Sequence, residues 1–424
     1  MPITHYVSEV LGAALLLLTL PLAIELAILT LASRFPRRNR SGSAATSPPI
    51  RLAVIIPAHN EEVLIGACVE SLRVSAAGYK TQIIAVAHNC SDRTADRAAM
   101  AGAEVVVYNN PQARGKGSAL ARGFAYAASQ GVDAALVVDA DSTVSSNLIG
   151  LVDEALANGT EAVQCRYEME SSSKRPATRL TALAFRGFNV VRPIGRNRLG
   201  LSAGILGNGF AIRQEVLTQN PYNSLSVVED LEYHIRLVLS GKKVQFLQDA
   251  KVWSGMPPSK QGEATQRSRW EGGRANAAVT WLGPLLRQLM RGRLRMVEPL
   301  LDLMSLPIGY VAFLLLFALC LPLEWLRIYA LLAGTILACH VLAAAWVGNS
   351  FAGDLLILAS VPAYILWKLT MLPSILRSSR TNAAWVRTER QPMIQTAILE
   401  AAAQGNTADA MEHALRVSGS MEVS

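Results

Sequence analysis

The chain has 424 residues, a net charge of +8 and 51% hydrophobic residues, and its mean hydropathy is +0.27. This composition excludes an ordinary soluble protein, and the apolar excess lies at the two ends of the chain. The basic residues cluster beside apolar segments, which favours a membrane surface with anionic lipid over a nucleic-acid partner. The five cysteines form no C-x-x-C pair, which argues against zinc sites and disulfides.

Residues 1–35 are predicted to form an N-terminal transmembrane helix. Val10–Ala32 is an almost unbroken apolar run, long enough to cross a bilayer core of roughly 30 Å. It is too long for a signal peptide. Glu25 interrupts the run, which indicates that one helix face packs against protein. Basic residues follow it and predict a multi-pass protein of the cell (inner) membrane whose next domain is cytoplasmic; these residues are Arg34, Arg37, Arg38 and Arg40.

Residues 36–49 contain Pro, Arg, Ser and Gly without periodicity and are predicted to be a linker. Residues 50–255 then alternate buried strands with helices, which predicts an α/β domain with a mostly parallel sheet and right-handed crossovers. Each predicted strand ends in a polar loop on the same sheet edge. Ionisable residues from these loops should therefore line one crevice, and they are Glu61, Asp92, Lys116, Asp139 and Asp141.

The fourth predicted strand, Leu136–Val138, stops at two carboxylates, Asp139 and Asp141. Strand alternation would send both side chains to the same side, at the sheet edge where ligands bind in α/β proteins. Two hard oxygen ligands suit Mg²⁺ or Mn²⁺ holding a diphosphate. A strand followed by an Asp-rich turn without a metal explains the same residues.

Lys116 lies in the loop Arg114-Gly115-Lys116-Gly117, which lacks the spacing of a Walker A motif. The side chain could neutralise a phosphate or be an ordinary surface lysine in a turn. No G-x-G-x-x-G follows the first strand, which disfavours a dinucleotide-binding Rossmann domain.

Three further motifs follow in the second half of the domain. Gly207 and Gly209 flank Asn208 and allow close approach of the backbone to a ligand. Glu229 and Asp230 open a predicted helix, where acidic residues are common for capping and dipole reasons alone. The segment Gln266-Arg267-Ser268-Arg269-Trp270 offers an arginine clamp for a diphosphate and a ring platform for a sugar, or else an interfacial tryptophan anchor.

Residues 256–298 are predicted to be interfacial helices, because Trp281–Met296 is amphipathic and basic. Residues 299–376 form a C-terminal transmembrane region with three apolar segments, at about 299–323, 326–348 and 351–376. Residues 377–424 form a basic, then polar tail, predicted to be cytoplasmic. Three full crossings would put this tail outside, so one segment should be broken, re-entrant or interfacial.

Five features occur in one order along the chain: Pro-Ala-His-Asn-Glu-Glu, Asn-Cys-Ser-Asp, Asp-Ala-Asp, Glu-Asp and Gln-x-x-Arg-Trp. Together they resemble the membrane-integrated, inverting family-two glycosyltransferases, which include cellulose, hyaluronan, chitin and poly-N-acetylglucosamine synthases. The resemblance covers roughly residues 50–280 and implies a GT-A fold for nucleotide-diphospho-sugar transfer, flanked by transmembrane helices.

The resemblance also implies roles for individual residues. The matching positions bind a UDP-sugar donor (Glu61, Asp92, Lys116, Asp139, Arg269), hold Mg²⁺ or Mn²⁺ (Asp141, with Asp139), shape the acceptor site (Gln266, Trp270, Gly207, Asn208, Gly209) and supply the general base (Asp230, with Glu229 beside it). The Lys-Gly-Ser-Ala-Leu-Ala sequence at Lys116 departs from the commoner K-x-G-A-L-N form. The identity of the sugar and of the acceptor therefore stays open.

These features predict an inverting β-glycosyltransferase at the cytoplasmic membrane face. Gln-x-x-Arg-Trp favours a processive polysaccharide synthase. The small number of predicted spans leaves open the transfer of one sugar to a lipid such as ceramide, a diacylglycerol or a polyprenyl phosphate. A transporter or receptor with an inactive domain is a more remote alternative. Whether an export partner takes part is left open by the sequence.

Overall fold

A computed structural model of the chain describes residues 3–36, 50–113, 115–170, 175–223, 226–256, 260–371 and 373. The predicted linker, apart from residue 36, and the predicted basic tail lie outside these residues. The strands in chain order are β1 (Leu52–Ala58), β2 (Thr81–His88), β3 (Glu104–Tyr108), β4 (Ala134–Val137), β5 (Ser142–Val144), β6 (Ala162–Glu170), β7 (Phe210–Arg213) and β8 (Val244–Gly255).

The helices surround this sheet and extend from it at both ends of the chain. In chain order they are α1 (Ile3–Ala32), α2 (Ile65–Ser75), α3 (Thr94–Met100), α4 (Lys116–Ser129), α5 (Leu148–Ala157), α6 (Pro176–Arg186), α7 (Arg192–Arg198), α8 (Gln214–Gln219), α9 (Glu229–Leu239), α10 (Lys260–Met290), α11 (Val297–Met304), α12 (Ile308–Cys320), α13 (Glu324–Trp346), α14 (Phe351–Ile357) and α15 (Val361–Leu369). A π-helical turn, Gly187–Val191, joins α6 to α7.

The eight strands form one mixed sheet in the order β3-β2-β1-β4-β7-β6-β8-β5. The first four strands are parallel, as the alternation of strands and helices predicts. The prediction of a mostly parallel sheet is wrong for the other half, because β7 runs antiparallel to both β4 and β6 and β5 runs antiparallel to β8. Strand β8 pairs with β6 in parallel, across a register shift at Cys165/Arg166.

Residues along the central strands alternate between two apolar cores, one on each face of the sheet. On β1, Val54 and Ile56 face the core that α2 covers, whereas Ile55 faces the core that α4 covers. Helix α4 approaches β1 so closely that a Cβ on Gly123 would lie 2.5 Å from Ile55 Cγ2. This packing fixes the first turn of α4 over the carboxyl ends of the parallel strands.

The apolar helices at the two ends of the chain pack together. Helices α1, α12 and α13 share a buried core that includes Leu22, Leu26, Val311 and Leu326. Among the residues that the structure describes, three helical stretches are long and apolar enough to cross a membrane, namely His5–Ala32, Glu324–Trp346 and Phe351–Leu369. The stretch Leu294–Met304 with Ile308–Cys320 also passes this test as a pair, but it is bent by 77°. By length and composition, this pair is a broken span or a re-entrant segment.

Glu25 is buried inside α1 and confirms the prediction that one face of this helix packs against protein. Its carboxylate forms ion pairs with Arg192 and Arg196 of α7. Both arginines also pair with Asp302 of α11. Buried charges are tolerated only when they are paired, so this cluster ties the first apolar helix to the segments that follow the sheet.

Candidate active site

Lys116 lies at the centre of the crevice at the carboxyl ends of the parallel strands. It is the first residue of α4, and Gly115 before it adopts φ +93°. The Lys116 ammonium forms an ion pair with the carboxylate of Asp139, which follows β4. It also donates a hydrogen bond of 2.5 Å to the carbonyl oxygen of Gly207. The structure thus brings together three residues that the sequence predicts to be functional.

Asn208 and Gly209 hold the loop that carries Asp139. The Asn208 side chain is 1% exposed; its Nδ2 donates to Ser142 Oγ at 2.8 Å and its Oδ1 accepts from the Asp139 amide at 3.1 Å. Gly209 is engaged in backbone pairing with Val137 and Cys165. That this segment shapes an acceptor site stays a prediction.

Gly207 lies against the first turn of α9, where Glu229 and Asp230 are located. A Cβ added to Gly207 would lie 2.8 Å from Asp230 Oδ2, and the residue adopts φ +78°. Asp230 Oδ1 accepts a hydrogen bond of 2.8 Å from the amide of Leu231. Lys116, at the carbonyl oxygen of Gly207, and Asp230, at its Cα, therefore place a cation and a carboxylate next to one glycine.

Burial and the neighbouring charges shift the pKa values of these groups. Burial raises the pKa of Glu229, and the neighbouring Asp230 raises it further. Burial likewise raises the pKa of Asp230, although Lys116 opposes that shift. For Lys116, burial alone would lower the pKa, but Asp139 and Glu229 outweigh it and raise the pKa. The Glu229–Asp230 pair therefore binds a proton more readily than two exposed carboxylates would, while Lys116 stays charged.

We expect Gly207→Ala to impair the site specifically. A left-handed conformation costs an ordinary residue about 1–2 kcal/mol, and the new Cβ would also displace the Asp230 carboxylate. Gly241→Ala is the matched control, because Gly241 has φ +82° and a Cβ added there would meet no described atom within 4 Å. Both variants should lose similar stability by thermal denaturation. Only Gly207→Ala should lose glycosyl transfer, by about tenfold or more; equal activity in the two variants would remove the steric argument.

Asp139 and Asp141 lie in a turn, not on a strand, because β4 ends at Val137. The predicted strand alternation therefore does not apply to this pair. The Ser142 amide donates to the Asp139 carbonyl at 3.0 Å and closes the turn, and Ser142 Oγ donates to Asp141 Oδ1 at 3.2 Å. In the part of the chain that the structure describes, no group of three or more His, Cys, Asp or Glu could hold a metal ion by itself.

This donor set nevertheless fits a divalent metal shared with a ligand. Mg²⁺ is commonly held by one or two carboxylates together with the phosphates of the substrate, without an all-protein cage. Because Asp139 is paired with Lys116, Asp141 is the carboxylate better placed to reach such an ion.

Two more of the predicted donor-binding residues, Glu61 and Asp92, meet at the ends of β1 and β2. Thr94 Oγ1 accepts a hydrogen bond of 2.7 Å from the Glu61 amide. The Asp92 carboxylate accepts from the amides of Glu62 at 3.2 Å and Thr94 at 3.0 Å. Burial opposes ionisation of Asp92, but these bonds and that of the Thr94 hydroxyl outweigh it and lower its pKa. The two predicted residues thus share one rigid corner of the crevice.

The residues that shape this corner were not predicted from the sequence. The tripeptide Ala-His-Asn occurs at the ends of both β1 and β2, and Asn60 and Asn89 both adopt a left-handed conformation, with φ +56° and +52°. The Asn89 side chain fixes the backbone of Asn110 through two hydrogen bonds, of 2.7 and 2.9 Å. The His88 ring stacks on Tyr108 with centroids 5.1 Å apart. The repeated tripeptide was the signal that could have revealed this arrangement.

The Gln-x-x-Arg-Trp motif lies on α10, where it packs against aromatic residues of the domain that contains the sheet. Gln266 is buried, and its Nε2 has no hydrogen-bond partner among the described residues. The half-buried Trp270 packs beside Phe185, with centroids 6.1 Å apart. Arg267, which was not predicted to be functional, donates hydrogen bonds to Tyr364 and Thr181. The motif therefore presents one face to the domain and another to α15.

Comparison with known proteins identifies this arrangement. The family model described as "Glycosyltransferase like family 2" matches residues 48–273, which is more than half of the chain. The chain belongs to this family. The crevice built by Lys116, Asp139 and the Glu229–Asp230 pair is thus the candidate active site of a family-two glycosyltransferase with a GT-A-like fold.

Two curated relatives of this glycosyltransferase match over part of their length. "Probable glycosyltransferase YdaM" of Bacillus subtilis (strain 168) is 28% identical over 251 residues, which are 56% of this chain and 58% of the relative. "Glucomannan 4-beta-mannosyltransferase 7" of Arabidopsis thaliana is 25% identical over 176 residues, which are 41% of this chain and 32% of the relative. The chain thus spans less than two thirds of the length of the curated relatives it matches.

A solved structure supports the fold of the glycosyltransferase. The mannosyltransferase PcManGT from Pyrobaculum calidifontis, solved in complex with GDP-Man and Mn²⁺, superposes with a TM-score of 0.51. The match covers 88% of this chain and 97% of that protein, at 18% sequence identity. At this identity the likeness concerns the fold alone.

Proposed function

We propose that this protein is a membrane-bound, inverting β-glycosyltransferase that uses a UDP-sugar and adds one sugar to a lipid acceptor. The observation that carries the chemistry is that Lys116 and Asp230 both lie against Gly207. A leaving diphosphate needs cationic groups, and an attacking hydroxyl needs a base. A cation and a carboxylate next to one glycine supply these two kinds of group.

The reaction is a single displacement at C1 of the donor sugar. The acceptor hydroxyl loses its proton to Asp230 or to the Glu229 carboxylate beside it, and its oxygen forms the new bond to C1. The bond from C1 to the diphosphate oxygen breaks, and the nucleoside diphosphate leaves with that electron pair. One displacement inverts the configuration, so an α-linked donor gives a β-linked product.

In this proposal the donor lies between the Glu61–Asp92 corner and Lys116. Asp141, with Asp139 beside it, would hold Mg²⁺ or Mn²⁺, which supplies electrostatic stabilisation of the diphosphate when it is bound. Arg269 adds positive charge from α10, and Trp270 offers a ring for the acceptor end. A ligand oxygen near Gln266 would satisfy its buried amide, which is costly to leave unpaired.

The arrangement of the apolar helices favours a lipid acceptor over a polymer. Helices α1, α12 and α13 fill the space between them with side chains such as Leu22, Leu26 and Leu315. A growing polysaccharide would need a polar path, whereas a lipid reaches an interfacial site from the plane of the bilayer. Exposed apolar side chains lie toward the carboxyl end of α10 and just after it, and they include Val279, Met290 and Leu294. They are compatible with a site at the membrane interface.

A processive polysaccharide synthase is the second candidate. It is supported by the Gln-x-x-Arg-Trp motif and by the similarity to a plant enzyme named as a glucomannan mannosyltransferase. GDP-mannose is a further donor to test beside the UDP-sugars, because the PcManGT structure was solved with GDP-Man.

The decisive experiment incubates the detergent-purified protein with Mg²⁺ or Mn²⁺ and a panel of UDP-sugars and GDP-mannose. We expect release of the nucleoside diphosphate from one donor and, with a lipid extract added, a β-linked glycolipid carrying a single sugar. A ladder of longer products would support the synthase. Absence of nucleotide release with every donor and lipid acceptor tested would contradict glycosyl transfer and favour the inactive transporter or receptor.

Contacts at both ends of α1 and α13 support a membrane topology. Glu9 and Trp325 meet at 3.3 Å near the starts of α1 and α13, and Thr30 and His340 meet at 2.8 Å near their ends. These two helices therefore run in the same direction. Since α1 leads into the sheet domain, we propose that α13 also crosses toward the domain side, which is the cytoplasmic side in the predicted orientation.

The stretch Phe351–Leu369 begins and ends at the sheet domain. Asp354 pairs with Arg186 of α6 at 2.6 Å, and Lys368 pairs with Glu271 of α10 at 2.8 Å. A crossing helix of this length would separate its ends by almost 30 Å along the membrane normal. We therefore propose that this stretch lies along the interface. The chain then leaves on the cytoplasmic side, where the positive-inside rule expects the basic tail.

We expect single-cysteine labelling in sealed vesicles to separate the two topologies. In a cysteine-free background, the native Cys320 near the α12–α13 turn is restored alone, or Thr370→Cys is introduced alone after α15. An impermeant maleimide should reach Cys320 from the side opposite to the catalytic domain and Thr370→Cys from the same side as the domain. Labelling of both from one side would mean that Phe351–Leu369 crosses the membrane.

A further inference from the structure

Tyr222 is a buried residue next to the proposed base that has no part in the proposed mechanism so far. It lies between α8 and α9, and its ring packs against three aromatic rings. The centroid distances are 5.4 Å to Phe124 of α4, 6.2 Å to Phe210 of β7 and 4.6 Å to Tyr233 of α9. Of these three elements, α4 carries Lys116, β7 follows Gly209 and α9 begins with Glu229. The Tyr222 ring is therefore fixed to the elements that carry the site.

The hydroxyl group of Tyr222 has no hydrogen-bond partner among the residues that the structure describes, although the residue is only 5% exposed. The hydroxyl of the adjacent Tyr233, in contrast, donates to the carbonyl oxygen of Asn220 at 2.9 Å. Buried hydroxyl groups are normally paired, and leaving one unpaired destabilises the fold. An unpaired donor at an active site indicates a partner that is engaged during the reaction.

The carboxylates of the site are the acceptors within electrostatic range of this hydroxyl. Glu229 and Tyr233 are four residues apart and share one face of α9, and the Tyr222 ring packs on that face through Tyr233. Burial raises the pKa of Tyr222, and Glu229, Asp230 and Asp139 raise it further. The hydroxyl therefore keeps its proton and can act as a donor to a carboxylate.

We propose that Tyr222 is a positioning residue for the Glu229–Asp230 pair. Its hydroxyl donates a hydrogen bond to the carboxylate that takes the proton of the acceptor, and this bond orients the carboxylate toward the acceptor oxygen. Hydrogen bonds of this kind often tighten only in the reacting complex. This accounts for a Tyr222 hydroxyl without a partner among the described residues. The proposal rests on the proposed function, because it assigns Tyr222 a role in that reaction.

The test compares Tyr222→Phe with Tyr233→Phe in the full-length protein. Each variant loses one hydroxyl and keeps its ring, and the two rings are neighbours. The measurements are kcat for transfer, donor affinity by calorimetry and Tm. For Tyr222→Phe we expect kcat to fall about 10- to 100-fold, as for loss of a hydrogen bond to a charged group, with unchanged donor affinity. Its Tm should stay equal or rise, because an unpaired buried hydroxyl is removed.

Tyr233→Phe should give the opposite pattern, with a lower Tm and nearly unchanged kcat, because its hydroxyl bonds a backbone carbonyl outside the site. A loss of kcat below about threefold in Tyr222→Phe, or any fall in its Tm, would overturn the positioning role. An inactive wild-type protein would instead overturn the proposed function. The two failures are therefore distinguishable, since the first requires transfer by the wild type.

Discussion

Replacing Asp230 with Asn should reduce glycosyl transfer by about 10²- to 10⁴-fold, which is typical for the loss of a general base. The substitution keeps the side-chain volume, and the remaining oxygen can still accept the hydrogen bond from Leu231. It removes the atom that would take the acceptor proton. Donor affinity should change little, because the proposed donor site uses Glu61, Asp92 and Lys116.

The measurement pairs donor affinity by calorimetry with the transfer rate of the same variant. Asp96→Asn is a matched control, because Asp96 is an exposed aspartate in the first turn of another helix, α3. If affinity and rate collapse together, Asp230 is a donor-site or folding residue. If the rate is untouched, the base is Glu229 or another group.

The raised pKa values of Glu229 and Asp230 also give a sign to the pH dependence. The base works only when ionised, so transfer should increase with pH as the pair loses its proton. Because burial raises both pKa values, this increase should occur at a higher pH than about 4, where ordinary carboxylates ionise. In Asp230→Asn the pair no longer exists, and the residual rate should follow a different profile.

The sequence predicts the parallel half of the sheet well for a physical reason. Buried parallel strands are apolar along their whole length, and the helices between them have a clear period, so β1 to β4 are evident. The other half depends on long-range pairing of β7 with β6 and of β5 with β8. Local patterns do not encode such pairing, and the sheet was therefore expected to be more parallel than it is.

The predicted site residues also divide into those whose position local sequence patterns reveal and those whose position depends on the folded chain. Asp139 and Lys116 were chosen because charged groups in the loops after apolar strands need an explanation, and Asp230 because the family resemblance gives its position the role of general base. The structure pairs Asp139 with Lys116 and brings Lys116 and Asp230 against Gly207. Asn208 was chosen from its glycine neighbours, which reveal backbone conformation but not the direction of the side chain. Its burial against Ser142 depends on β5 and β8, which meet only in the folded chain.

The stretch that we propose to be interfacial shows a similar limit. Length and hydropathy make Phe351–Leu369 equivalent to a crossing helix. Its ion pairs to Arg186 and Glu271 join residues far apart in sequence, so they become evident only in three dimensions.

Asp141→Asn should abolish most transfer, with a loss on the order of 10²–10³-fold, comparable to removal of one strong electrostatic group from an active site. The proposed role of Asp141 is to hold a divalent metal together with the donor diphosphate. Asn keeps the shape and the bond from Ser142 but provides a neutral and weaker metal ligand. Excess chelator should have the same effect on the wild type, and full activity under chelation would contradict the metal assignment.

Asp139→Asn is the informative partner of this variant, because the two aspartates have different contacts. Asp139 forms an ion pair with Lys116, and Asn208 holds its backbone. Asp139→Asn should therefore lower Tm as well as transfer, since it leaves the half-buried Lys116 without its closest countercharge. Asp141→Asn should leave Tm unchanged and raise the metal concentration needed for half-maximal activity. The two variants could shift the metal dependence equally while only Asp139→Asn loses stability. In that case both carboxylates hold the metal, and Lys116 exchanges Asp139 for the diphosphate when the donor binds.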